Sequence, residues 1–472
     1  MTRQRDPQVS FADLEFLTQG IDLDPILKGI SHFLDDHPKI VKLVGKDLER
    51  GVKKPDMGRC GITAPQVLRS LILMRVKNWD YRELRERIAD GYTLRQFTGF
   101  YSQRVPMHDA FNRAFIKLQP ATLQAINDLI VQAAVELGVE DGKKLRVDTT
   151  VSETDIHYPT DSTLLWDVVR VITRLISRLG KVVPKGMVSF TNRTRAARRR
   201  MQEIERMTAR QRHDRQKGKY RDLIGVTEQV VQNARRVLEN IQDPCALDPM
   251  DDIVIGELRR TIDHYAKLGD RVIDQARRRV LKGEQVPTEE KVYSIFEVHT
   301  DLIQRGKVQK PIEFGHKIFL AESARGLITQ YCVLEGNPAD QNHVKRSLQC
   351  HKKSFGFAPD LYSSDRGFFS QDNIALCKVG GVKLVCIPQR GGKKTSQREA
   401  FEKSPAFKKG QRFRAGIEGR ISVLFRGRGM KRCRAEGLQR FEVLIGAAVL
   451  ANNLMAIAHR LNEKQKRYRR AA

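Results

Sequence analysis

The chain is short of negative charge. Its 56 Asp and Glu face 85 Lys and Arg, which leaves a formal net charge of +29. Such an excess says little about fold but favours polyanionic partners, nucleic acid first and anionic membrane second. Cysteine is sparse and unpatterned. Cys60, Cys245, Cys332, Cys350, Cys377, Cys386 and Cys433 are odd in number and show no CxxC spacing, as free thiols in a reducing cytoplasm would. Cys350 and His351 are adjacent, but no second Cys/His pair is spaced to complete a metal site. The opening "MTRQRDPQVSFADLEF" has no apolar signal core. The most apolar stretch, Phe441 to Ala458, is interrupted by Glu442, Asn452 and Asn453, so it reads as a buried helix and no membrane partner is expected. No internal repeat occurs. What remains is a chain of 472 residues, 40% hydrophobic and 30% charged, which reads as a globular cytoplasmic protein of two or three domains.

Helical signals dominate up to about Val139. Asp24-Pro25 opens one helix. Thr63, Pro65 and Gln66 form a helix start with a capping box, and Asp80 caps a segment with Leu84 and Ile88 one turn apart. Phe111, Phe115 and Leu118 share a stripe. Short helices carrying Arg69, Arg75, Lys77, Arg82 and Arg85 suit a DNA-binding module or an ordinary helical domain with a basic face. Residues 145–151 alternate as a strand, and the helical period returns from Leu164 to about Leu281 as a hairpin or small bundle. Within it, Arg193, Arg195 and Arg198 belong to a basic run, "RTRAARRR", suited to tracking phosphates. From Tyr293 onward, "VYSIFEVHT", "HKIFLAES" and "GLITQYCVLEG" read as an antiparallel meander. "LYSSD" and "VKLVCIP" read as strands, 389–403 as a polar loop, and "FKKGQRFRAGIEGRISVLF" as a helix despite its glycines. The last helix is expected to run to about Leu461.

Asp148 lies inside the strand "LRVDTTV", on the face opposite Leu145, Val147, Thr149 and Val151, although Asp is depleted in strands. Asp365 closes a second strand and Glu418 sits on a late helix. A mixed sheet with the two strands side by side and parallel, crossed by that helix, would bring all three together. Three converging carboxylates repel unless cations neutralise them. Hard oxygen ligands suit Mg²⁺ or Mn²⁺, and two such ions can drive phosphodiester displacement. Singly, each acid has a plain alternative: a strand-edge residue, a turn residue before Gly367, or the i,i+4 partner of Arg414. Asp155, Asp161, Asp372 and Glu442 compete as ligands. Of these, Asp161 suits the Pro159 turn and Asp372 the start of its own helix.

These segments carry a family resemblance. "RVDTTVSETDIHYPTDSTLLWD", "LYSSDRGFFSQDN" and "RAGIEGRISVLF" resemble the first-aspartate, second-aspartate and glutamate segments of the DDE transposases of bacterial insertion sequences. The resemblance implies a mixed α+β fold: an RNase H-like sheet flanked by helices (141–162 and 290–472), an N-terminal all-α DNA-binding domain (1–140) and a helical insertion (163–289). It implies Asp148, Asp365 and Glu418 as the ligands of Mg²⁺ or Mn²⁺, near which Arg366, Arg414, Arg420 and Arg426 are charges suited to holding phosphates. It also implies element ends and target DNA as partners and a homodimer on DNA. A related group places Tyr and Lys around the last acid, where this chain has Gln411 and Phe425, with Arg426 next to it. Strand cleavage and transfer is the function this implies. The alternatives are a catalytically silent regulator of element ends and a structure-selective nuclease.

Overall fold

The computed structural model describes residues 2–3, 11–18, 22–52, 59–184, 186–241, 249–304 and 311–471. Cys245 and the side chain of Cys60 lie outside the described residues. Cys332, Cys350, Cys377 and Cys386 are free thiols. Contacts divide the chain into two compact units, residues 1–154 with 315–472, and residues 155–314.

The first unit opens with a two-residue parallel bridge between β1 (Thr2–Arg3) and β2 (Arg59–Cys60). Its early helices are α1 (Phe11–Thr18), α2 (Pro25–Asp36), α3 (Pro38–Glu49), α4 (Ala64–Lys77), α5 (Tyr81–Asp90), α6 (Tyr92–Thr98), α7 (His108–Ile116) and α8 (Pro120–Glu136), followed by β3 (Lys144–Thr154). The same unit resumes within β5 (Ile312–Ser323) and continues with β6 (Ile328–Val333), α13 (Val344–Phe355), β7 (Leu361–Ser363), α14 (Gln371–Val379) and β8 (Leu384–Cys386). It ends with α15 (Ser396–Lys403), α16 (Pro405–Gly427), β9 (Arg432–Cys433) and α17 (Leu438–Ala471). The unit 155–314 holds α9 (Asp161–Leu179), α10 (Thr194–Glu205), α11 (Ala209–Asn240), α12 (Pro249–Ala276), which continues as a π-helical turn at Arg277–Lys282, and β4 (Asp301–Gln304).

Local chemistry starts the early helices where the sequence reading puts them. The Asp24 side chain accepts from the Ile26 and Leu27 amides, at 3.0 and 3.1 Å. Thr63 and Gln66 cap each other reciprocally, and Asp80 accepts from the Arg82 and Glu83 amides. Each such cap contributes about 1 kcal/mol.

The N-terminal helices are not a body of their own. Val443, Ala447, Leu450, Leu454 and Ile457 of α17 fill one core with Ile30, Leu34, Leu68, Leu71 and Ile126. The three-part division expected from sequence therefore gives way to two units, because the last helix of the chain completes the first core. Leu438–Arg467 is long and apolar enough to cross a membrane, yet 78% of its most apolar window is buried in this core. The helix runs on to Ala471, ten residues past the expected Leu461, as a polar extension.

The fold is mixed α+β, with a seven-stranded mixed sheet in the order β4-β5-β3-β7-β8, β6 beside β5 and β9 beside β3. β5 runs antiparallel to both β3 and β6, while β7 runs parallel to β3 and to β8. Leu145 and Val147 pack with Val344, Leu348, Ile374 and Cys377 of α13 and α14. Side chains alternate along a strand, so Arg146 and Asp148 face the other side, where α16 lies.

Three expectations need correction. "VYSIFEVHT" is not a strand. Ser294 Oγ accepts from the amides of Phe296 and Glu297, both at 3.1 Å, and Gln275 takes the Val292 amide, so those donors are spent on turns and not on a ladder. The stretch 389–403 is not all loop: Thr395 accepts from the Arg398 amide and starts α15. "VKLVCIP" keeps only Leu384–Cys386 in the sheet.

His351 of α13 is fully buried and stacked on Phe355, and burial lowers its imidazole from 6.5 to about 4. Its folded pKa is below its unfolded one. Its contribution is therefore complete above about 6.5 and is lost as pH falls towards 4, because the unfolded chain binds the proton more readily. Denaturant titrations should show wild type losing about 2–3 kcal/mol more than His351→Leu between pH 7 and pH 4.5. Equal losses would contradict this account of the residue.

Candidate active site

The site begins with register. Lys144–Arg146 of β3 pair in parallel with Leu361–Ser363 of β7, so Arg146 stands beside Ser363. Asp148 and Asp365 each lie two residues past that pair, at the same depth, where the two strands diverge. Asp365 continues into a short 3₁₀ turn, Arg366–Phe368, and its Oδ1 accepts from the Gly367 amide at 2.8 Å. Asp148 Oδ1 accepts from the Thr149 amide at 2.8 Å.

Helix α16 brings the third acid, and two glycines let it come close. A Cβ on Gly410 would collide with Cys386 of β8, and one on Gly416 would collide with the Arg146 guanidinium. The backbone is pinned as well. Ser363 Oγ donates to Gly410 O at 2.9 Å, and Arg146 Nη1 donates to Phe413 O at 2.7 Å. Gln411 Nε2 donates to Cys386 O at 2.6 Å and Ser364 O at 3.2 Å. Gln411 thus tethers the helix to the strand ends.

Arg414 occupies the centre. Its Nη2 is 2.9 Å from Asp148 Oδ2 and 3.9 Å from Asp365 Oδ2, and its Nη1 is 2.9 Å from Glu418 Oε1. Three acids separated by up to 270 positions (418 minus 148) share one guanidinium. Their side-chain exposure rises from 11% at Asp148 through 37% at Asp365 to 67% at Glu418, so the cluster opens to solvent on the helix side.

A fourth carboxylate was missed in the sequence. Asp340 Oδ1 accepts from Thr149 Oγ1 and pairs with Lys317 Nζ, both at 2.8 Å. A Cβ on Gly367 would lie 2.8 Å from Asp340 Oδ2 and 3.0 Å from Asp365 Oδ1, so the two carboxylates flank one glycine. The only sequence signal was an acid at the head of a helix in "PADQNH".

The donor set suits a hard divalent cation, since Asp148, Asp365 and Glu418 offer oxygen alone. Among the described residues, no three His, Cys, Asp or Glu side chains form a ready metal-binding group. The three acids instead surround Arg414, whose single positive charge offsets part of their repulsion. Accommodating an ion between them requires Arg414 to yield.

The other expected residues are dispersed. Arg366 is exposed next to Asp365. Arg426 is exposed eight residues beyond Glu418, about 12 Å further along the helix. Arg420 faces a buried carboxylate, Glu322, at 2.9 Å. Arg193, Arg195 and Arg198 are exposed at the start of α10 in the 155–314 unit and make no ion pair among the described residues. Asp161 is no candidate ligand, because it is buried against Gln275 (2.9 Å) and Arg279 (2.9 and 3.0 Å). Asp372 sits in the first turn of α14, behind the Ser370 cap.

No protein-family model, curated protein or solved structure matches this chain.

Proposed function

We propose that the protein is a metal-dependent DNA strand transferase of the DDE transposase kind, with an RNase H-like catalytic unit, acting on the ends of an insertion sequence. The reading rests on one observation above all: Asp148, Asp365 and Glu418 converge on a single guanidinium at the diverging ends of β3 and β7. The net charge of +29 supports DNA as the partner. Asp148 is held firmly by the strand and its own hydrogen bonds, while Glu418 is the solvent-facing member. Mg²⁺ or Mn²⁺ held by these carboxylates would supply an activated water or 3′-hydroxyl and charge stabilisation at the leaving oxygen. Arg414 keeps the acids together, and Arg366 beside Asp365 is an exposed cation available to a DNA phosphate. Exposed Arg193, Arg195 and Arg198 serve as further backbone contacts, and a homodimer on DNA holds two ends.

The test uses the full chain, labelled duplex taken from the DNA flanking the coding region, an unlabelled target duplex and Mg²⁺ or Mn²⁺. The expected products are a strand nicked to a 3′-hydroxyl and the same strand joined to target. Nicking without joining makes it a nuclease of the same site chemistry. Absence of any product with either ion, on DNA that the protein binds, removes the enzymatic reading.

A further inference from the structure

A second cationic feature lies on the other side of α16. Arg420 is two residues past Glu418, about 200° around the helix, and points away from the acids. With Arg325, Arg428, His459, Arg460 and Glu463 it lines a cleft of about 310 Å³ between α16 and α17. Two of its arginines lack an acidic partner. Arg428 donates to the Val76 and Gly427 carbonyls, at 2.9 and 2.7 Å, and to the Met455 sulfur at 2.7 Å, all neutral acceptors. Its Nε is buried with no hydrogen-bond partner. Arg460 bonds only the Arg325 carbonyl, at 3.1 and 2.6 Å. Among the described residues neither makes an ion pair. Burial, and then the neighbouring charge of Arg420, hold the Arg428 guanidinium below its ordinary pKa. Confining such charges together is unfavourable until an anion enters. Guanidinium forks match the oxygens of a phosphate group in geometry and charge.

We propose that this cleft is an anion site, separate from the acidic cluster, that binds a phosphate group. The inference goes beyond the strand-transfer reading and does not depend on its metal chemistry. The phosphate has two possible sources, a DNA backbone or a free phosphate or nucleotide, and two measurements on the full-length protein separate them. In the first, inorganic phosphate at matched ionic strength should raise Tm over chloride by about 2–4 °C, and Arg428→Gln and Arg460→Gln should each lose that increment. In the second, the slope of log K against log salt for duplex DNA should shrink by about 0.9 in the variants if a backbone phosphate sits there. Arg460 bonds only one carbonyl, so its variant keeps the test readable if Arg428→Gln does not fold. A reduced slope, with or without the phosphate increment, assigns the site to DNA. Loss of the increment in the variants with an unchanged slope assigns it to free phosphate. With the slope unchanged, a phosphate increment that survives both substitutions, or no increment at all, overturns the proposal.

Discussion

Asp148→Asn should reduce metal-dependent DNA cleavage by about 10³-fold or more while leaving DNA affinity within a few-fold of wild type. The magnitude follows from the role assigned to the carboxylate. A metal contributes several kcal/mol of transition-state charge stabilisation, and each 1.36 kcal/mol is tenfold in rate. Asparagine keeps the shape of the side chain and its bond to the Thr149 amide but removes the charge that faces Arg414. Asp365→Asn and Glu418→Gln should act in the same direction, since each takes one charge from the same cluster. Binding is the control that gives the result its meaning, because the exposed arginines that contact phosphate in this reading are untouched. A thermal melt excludes global unfolding, and a gel with labelled duplex reads affinity and product together. Asp148→Asn cleaving within tenfold of wild type would separate this cluster from the chemistry and leave only a basic protein with a well-ordered salt-bridge network.

The parts of this site legible in the sequence were those written in local signals. Period-2 alternation fixed which way Asp148 points, and the caps at Asp24, Thr63 and Asp80 came from residue types at fixed offsets. The pairing of two strands at one depth was open to inference, because an acid inside a strand and an acid just past another meet only where the two strands lie side by side and diverge. What escaped was set by residues far apart in the chain. Nothing around Arg414 says that it stands among three acids and not on the surface, since its i,i+4 relation to Glu418 is the commonplace part. Asp340 reaches the site through Thr149, Lys317 and the Gly367 turn, none of them near it in the chain. The glycines of α16 looked like helix weakeners, yet Gly410 and Gly416 are the positions where β8 and Arg146 come closest. "VYSIFEVHT" has strand composition, but its hydrogen bonds go to Ser294 and Gln275. The N-terminal helices looked self-sufficient because the helix that completes their core lies some 300 residues later (438 minus 136 gives 302).

Glu322→Ala should cost about 3–5 kcal/mol of stability, the largest loss expected from one substitution away from the acids. Glu322 is fully buried on β5 and receives two arginines: Arg146 of β3 through Nε at 2.8 Å and Nη2 at 2.7 Å, and Arg420 of α16 through Nε at 2.9 Å. Arg420 also donates to Asn452 of α17 at 2.9 Å. Asn452 passes the network to Asn453, which bonds Asn127 of α8 and Ile328 of β6. The two asparagines that break the apolar run of α17 are thus buried members of this polar lattice. Removing the one carboxylate strands two largely buried guanidiniums and leaves them repelling each other. A buried ion pair does little for net stability when intact, but breaking one side of it is costly. The same logic separates this effect from a simple cavity. Arg146→Met in the Glu322→Ala background should cost much less than it does alone, with a coupling of about 1–3 kcal/mol in a double-mutant cycle. The consequence reaches the acids, because Arg146 lies two residues before Asp148 and Arg420 two after Glu418. A folded Glu322→Gln variant should therefore lose cleavage through misplacement of both carboxylates, with binding to DNA unchanged. Chemical denaturation that finds Glu322→Ala within about 1 kcal/mol of wild type would show that water or rearrangement satisfies the arginines, and the lattice would then have no part in holding α16 against the sheet.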